Sequence, residues 1–141
     1  MKFLVPIDGS KVGIKVLKEA RKLGEKFEAE LLLLTVVDDL NLKYSHTYPD
    51  YHDVLVEKAR EDLEDVAAEC KDYQYGVRKF VKAGMPYNEI LKLGDEENVD
   101  LIVMGNRGLG AFSRTLLGSV SSKVLNHSKK SVLIIKSDFE D

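Results

Sequence analysis

Residues 101–122 read LIVMGNRGLGAFSRTLLGSVSS: four apolar residues, a glycine-rich connection and the opening of a helical pattern. Leu101 to Met104 is apolar without alternation, as expected of a parallel strand covered on both faces. Behind Gly118, the residues Val120, Val124 and Leu125 recur at helical steps and supply an inner face for a helix over Ser119 to Asn126. The stretch is therefore a strand, a turn and a helix, and the same unit repeats through the chain.

Five runs read as strands: Lys2 to Ile7, Glu30 to Val37, Tyr75 to Val81, Leu101 to Met104 and Ser131 to Lys136. Between the first two, Val12, Val16, Ala20, Leu23 and Phe27 fall on one helical face, with Ser10 placed to cap it. A second helix begins near Tyr51 and carries Leu55, Ala59, Leu63, Val66 and Cys70 inward; its many charges face solvent. Pro86 suits the first turn of a third helix bearing Ile90, Leu91 and Val99. Strands alternating with helices predict a single α/β domain over residues 1–141, a doubly wound, Rossmann-like open sheet of five parallel strands with helices on both faces.

Composition narrows the function. Lys plus Arg number 21 against 24 Asp plus Glu, a formal charge of −3, so no broad positive field draws nucleic acid or anionic lipid. One cysteine cannot close an internal disulfide, the amino-terminal residues lack the pattern of a signal peptide, and no apolar run approaches the roughly 20 residues of a membrane span. A cytoplasmic protein without membrane or nucleic-acid partners is expected.

Ligands of such sheets bind beyond the carboxyl ends of the strands. Gly105 and Gly108 lie there, and Gly118 with Ser119 opens the following helix. Glycine permits close backbone approach, successive amides can surround an anion, and a helix amino terminus favours phosphate. Ser119 and Ser121 add hydroxyl donors. The plainer reading, that these glycines only turn the chain and cap a helix, is weakened by a further residue at a strand end: Asp8 in PIDGS, which can itself serve as turn former and cap. No G-x-x-x-x-G-K-[ST] or G-x-G-x-x-G is present, which disfavours P-loop enzymes and ordinary dinucleotide dehydrogenases.

VPIDGS at residues 5–10, G-x-x-G-x9-G-S at residues 105–119 and the βα alternation between them resemble the universal stress protein family, in its ATP-binding branch, over essentially the whole chain. The resemblance implies a strand order of 3-2-1-4-5. It implies that Pro6, Asp8 and Val36 hold the nucleoside, with Met104 near the base, Gly105 and Gly108 along the ribose and first phosphate, and Gly118, Ser119, Val120 and Ser121 around the remaining phosphates. The family often has Thr where Ser121 stands, so the hydroxyl is retained. Arg107 pairs with a phosphate or faces solvent. ATP or AMP is the implied ligand, with magnesium held by phosphate oxygens instead of a protein cage. The apolar last strand, Val132 to Ile135, lies at an edge in that order; the resemblance implies a homodimer through it, the alternative being cover by the fourth helix and residues 138–141.

Other residues carry less. His46 and His52 flank Asp50 and Asp53 without standard metal spacing. His127 is expected at the last carbonyls of the fourth helix, and Cys70 as a small buried residue. No catalytic group is evident. The resemblance thus implies a nucleotide-dependent regulatory or stress-response module with an unidentified protein partner. Slow ATP hydrolysis or phosphoryl transfer, and a chaperone-like role independent of nucleotide, are the alternatives.

Overall fold

Leu31, Leu32, Leu33 and Leu34 are all 0% exposed, which only a strand covered on both faces allows. The computed structural model describes residues 1–8, 11–38, 50–106 and 117–136, and places these leucines in β2 (Glu30–Asp38). Before it come β1 (Lys2–Pro6) and α1 (Lys11–Phe27). After it come α2 (Tyr51–Ala67) with a 3-10 turn at Ala68–Cys70, β3 (Val77–Gly84), α3 (Pro86–Glu96), β4 (Leu101–Gly105), α4 (Ser119–His127) and β5 (Ser131–Ile135). The strands form one five-stranded parallel sheet in the order β3-β2-β1-β4-β5, as the family resemblance implies.

That order sets which helix covers which face. Steps from β1 to β2 to β3 carry the chain one way across the sheet; the return to β4 and on to β5 carries it the other way. With right-handed crossovers, α1 and α2 cover one face and α3 and α4 the other. The core divides accordingly. Phe3, Val5, Leu31 and Leu33 pack with Val16, Leu17, Ala20, Leu63 and Val66, whereas Leu4, Leu32, Leu34 and Ile102 pack with Ile90, Leu93 and Val124.

Two helices end by the same device, and neither uses glycine for it. Glu28 (φ 53°) and Asn98 (φ 49°) adopt the left-handed conformation just past α1 and α3. The next amide then reaches back to a carbonyl of the last turn, Ala29 to Gly24 at 2.9 Å and Val99 to Gly94 at 3.1 Å. Each turn delivers a buried residue, Ala29 or Val99, to the following strand. Val99 is thus not part of α3, contrary to the helical spacing, although its side chain joins the core that α3 covers.

Other expectations need correction. Phe27, expected on the inner face, is 55% exposed, because α1 ends there at the margin of the core, its ring in an edge-type pair with Phe3 at 6.4 Å between centroids. Leu125 is 47% exposed: Val124 takes the inward position and the next residue is turned about 100° away. Cys70 is buried as expected, but in the 3-10 turn instead of the helix. β3 begins at Val77 because Gly76 (φ 96°) turns the chain just before it, and it runs on to Gly84, pairing β2 through Asp38.

Arg21 and Tyr73 fasten α1 to the chain beyond α2. The Arg21 guanidinium donates to the Glu69 carbonyl at 2.6 Å and pairs with Asp72 at 2.8 Å and Glu25 at 3.2 Å. The buried Tyr73 hydroxyl donates to the Ala29 carbonyl, so close to Gly24 that a side chain there would collide with it. Burial pushes the Tyr73 phenol up to about 12. A phenol titrating near 10 when unfolded then holds its proton longer in the native state, so this contribution to stability is complete below pH 10 and is lost as pH rises through about 12. Tyr73→Phe should flatten the alkaline limb of the stability profile over that window, read by urea denaturation at stepped pH.

Candidate functional site

At the carboxyl edge of the sheet the ladder between β1 and β4 stops short. β1 pairs with β2 from Lys2 to Pro6, but with β4 only at Phe3 and Leu4, opposite Leu101 and Ile102. Pro6 accounts for the difference. Because the Ile7 amide donates to the Leu34 carbonyl at 2.8 Å, on the β2 side, the alternation of a strand turns the nitrogen of Pro6 toward β4. That nitrogen carries no hydrogen, so the β1–β4 ladder has no donor there and stops. The strands flanking the gap send their helices to opposite faces of the sheet, the arrangement that makes a binding crevice in open α/β sheets.

The expected nucleoside positions sit along this edge. Pro6 and Val36 are half-buried and Asp8 is exposed. Met104 is buried in the core beneath α3 and α4, so its side chain serves packing, and only the strand end just after it is half-open.

Beyond β4, the main chain of Asn106 is held from two sides. Its amide donates to the Ile135 carbonyl at 3.0 Å, and its carbonyl accepts from the Gly118 amide at 2.5 Å. The chain therefore leaves and re-enters this site at adjacent points. Arg107 and Gly108 lie in the intervening segment and outside the described residues, as do Gly9, Ser10, the side chain of Val12, His46 and residues 138–141.

Gly118 is the N-cap of α4 and makes no side-chain capping bond of its own. The first bond of the helix runs from the Ser122 amide to the Gly118 carbonyl at 2.9 Å. The amides of Ser119, Val120 and Ser121 therefore have no acceptor within the helix and stand at the positive end of its dipole. Ser119 is exposed and Val120 half-buried against the core. Ser121 is 4% exposed, and its hydroxyl donates to the Gly105 carbonyl at 2.7 Å. Gly105, Gly118, Ser119, Val120 and Ser121 are thus brought together.

Sequence reasoning overlooked two features here. Asn106, which lies between the glycines of the motif with Arg107, is 1% exposed and bridges β5 to α4 through its backbone. The Ser121–Gly105 bond spans sixteen residues and leaves no local signal in the sequence. His127 lies beside the Tyr87 ring at 6.2 Å, in place of the expected contact with helix carbonyls. Burial pushes the Cys70 thiol up, away from the thiolate a nucleophile needs. Among the described residues no cluster of His, Cys, Asp or Glu could hold a metal, and no helix is long and apolar enough to cross a membrane.

The profile of the universal stress protein family matches residues 1–136. The chain belongs to the universal stress protein family. It is 30% identical over 138 residues to universal stress protein MJ0531 of Methanocaldococcus jannaschii, an alignment covering 96% of this chain and 81% of that protein. The structure of MJ0577, from the same organism, superposes with a TM-score of 0.89 at 31% identity and covers 97% of this chain and 96% of its own. A universal stress protein solved in complex with cAMP superposes with a TM-score of 0.65 at 25% identity, covering 98% of each chain.

Proposed function

We propose that this universal stress protein binds an adenine nucleotide, ATP in the first instance, at the carboxyl edge between β1 and β4, and that occupancy regulates its contacts with other proteins. One observation carries the reading: the Ser119, Val120 and Ser121 amides stand outside the helix's own bonds beside Gly105, at the carboxyl edge. This donor set fits a phosphate chain, since it offers N–H groups and helix-dipole charge. Gly108 extends the cradle along the first phosphate. Pro6, Asp8 and Val36 hold the nucleoside, Val36 through its backbone, and the end of β4 at Met104 lies near the base. The relative solved with cAMP supports an adenine ligand in this fold. Magnesium, when bound with ATP, neutralises the phosphates and takes its oxygens from them.

Native mass spectrometry of gently purified protein should show a bound adenine nucleotide. Titration with ATP, AMP and cAMP should then rank the triphosphate first, because the open amides exceed what one phosphate can use. Phosphate release over hours separates retention from hydrolysis. A protein that neither carries nor takes up any of the three removes the reading.

We also infer a homodimer through β5. This strand lies at a sheet edge, and Leu133 on it is 36% exposed. A bare apolar edge strand favours pairing with another chain. Light scattering at micromolar concentration should give twice the chain mass; a monomer mass overturns the dimer and leaves the nucleotide reading standing.

A further inference from the structure

Ser121 raises a question about its side chain. The carbonyl of Gly105 is left over at the end of β4: the Asn106 amide turns toward β5, so the polar groups of Gly105 turn toward β1, where the ladder has already ended at Leu4. Pro6 can offer no hydrogen there. The hydroxyl of Ser121 fills that place, donating to the Gly105 carbonyl at 2.7 Å from a residue only 4% exposed. A hydroxyl has one proton to give. Turning it to a phosphate would strip the carbonyl of this donor.

We infer that Ser121 is a positioning residue whose hydroxyl pins the first turn of α4 to the end of β4, while only its backbone amide faces the phosphates. The inference rests on the nucleotide reading above and deepens it. Where the ladder between β1 and β4 is open, nothing in the sheet itself sets the distance from the strand end to the helix amino terminus. The Ser121–Gly105 bond and the Gly118–Asn106 bond set it together. Pre-set donors bind more tightly than donors that must be ordered on binding.

Ser121→Thr and Ser121→Val carry the same bulk and differ by a hydroxyl in place of a methyl, so their comparison isolates the bond. Isothermal titration with ATP and with adenosine reads the cradle and the nucleoside site separately, and hydrogen exchange of the Ser122 amide in ligand-free protein reads the first turn of α4. Expected for Ser121→Val is an ATP affinity about three- to tenfold weaker, adenosine affinity held within about twofold, and faster Ser122 exchange without ligand, all restored in Ser121→Thr. If Val proves too large to fold, Ser121→Ala takes its place against wild type.

Equal ATP affinity in the hydroxyl-bearing and hydroxyl-lacking proteins overturns the inference. So does an equal loss of ATP and adenosine, which marks general destabilisation. An ATP loss with unchanged exchange in the ligand-free protein also overturns it, assigning the hydroxyl to the phosphate. Failure of the wild-type protein to bind ATP defeats the nucleotide reading itself, and is told apart because it appears before any variant is compared.

Discussion

Gly118→Val should weaken ATP binding by roughly 10²- to 10⁴-fold while the protein stays folded, on the basis of two lost hydrogen bonds to charged phosphate. Gly118 has φ −69° and ψ 168°, which valine can adopt, so backbone strain does not enter. Its amide is already committed to the Asn106 carbonyl at 2.5 Å, so the loss does not come from that donor either. What valine adds is bulk at the mouth of the cradle, over the neighbouring amides of Ser119 and Val120. Thermal melting should fall only slightly, since replacing an N-cap glycine by an aliphatic residue costs about 1 kcal/mol. Calorimetric titration beside a melting curve checks both halves. A folded variant that binds ATP like wild type places the phosphates elsewhere.

Leu32→Ala should destabilise the fold by about 2–5 kcal/mol, the range for removing a buried leucine from a core that cannot collapse around the gap. Leu32 is completely buried in the sheet interior, between Leu4 on β1 and the residues of β3, and packs toward α3. Its backbone partners hold it rigidly, so the cavity persists. Leu133→Ala provides the contrast: on the edge strand and part-exposed within one chain, it should cost about 1 kcal/mol or less beyond whatever the dimer through β5 loses, which dilution of the protein separates. Urea denaturation of both variants measures the difference. Similar losses in the two would mean that β5 is covered as fully as β2.

The same pair of leucines shows what sequence can and cannot convey. Leu31 to Leu34 and Val132 to Ile135 look alike as apolar runs, and both are parallel strands. Burial separates them, and burial depends on the neighbours that strand order assigns: β2 has a strand on each side, β5 on one. Elements were legible because hydrophobic period is a strong constraint, and the strand order came with the family resemblance. Ends were less so. Phe27 and Val99 went astray because α1 and α3 are stopped by Glu28 and Asn98 in a conformation ordinarily marked by glycine. In the site, the strand-end positions of Asp8, Val36 and Gly105 followed from the fold. The role of Asn106 and the bond from Ser121 to Gly105 did not, because each joins groups that meet only after the sheet and α4 have come together.

The placement of β1 at the middle of the sheet also bears on synthesis. β1, which leaves the ribosome ahead of the other four strands, is flanked by β2, made soon after, and by β4, made much later. A nascent chain ending after β3 can assemble the layer covered by α1 and α2, but its other face, with Leu4, Leu32 and Leu34, is left bare until α3 emerges. Through that interval the growing polypeptide presents a greasy surface that only its own later segments, or a chaperone, can shield.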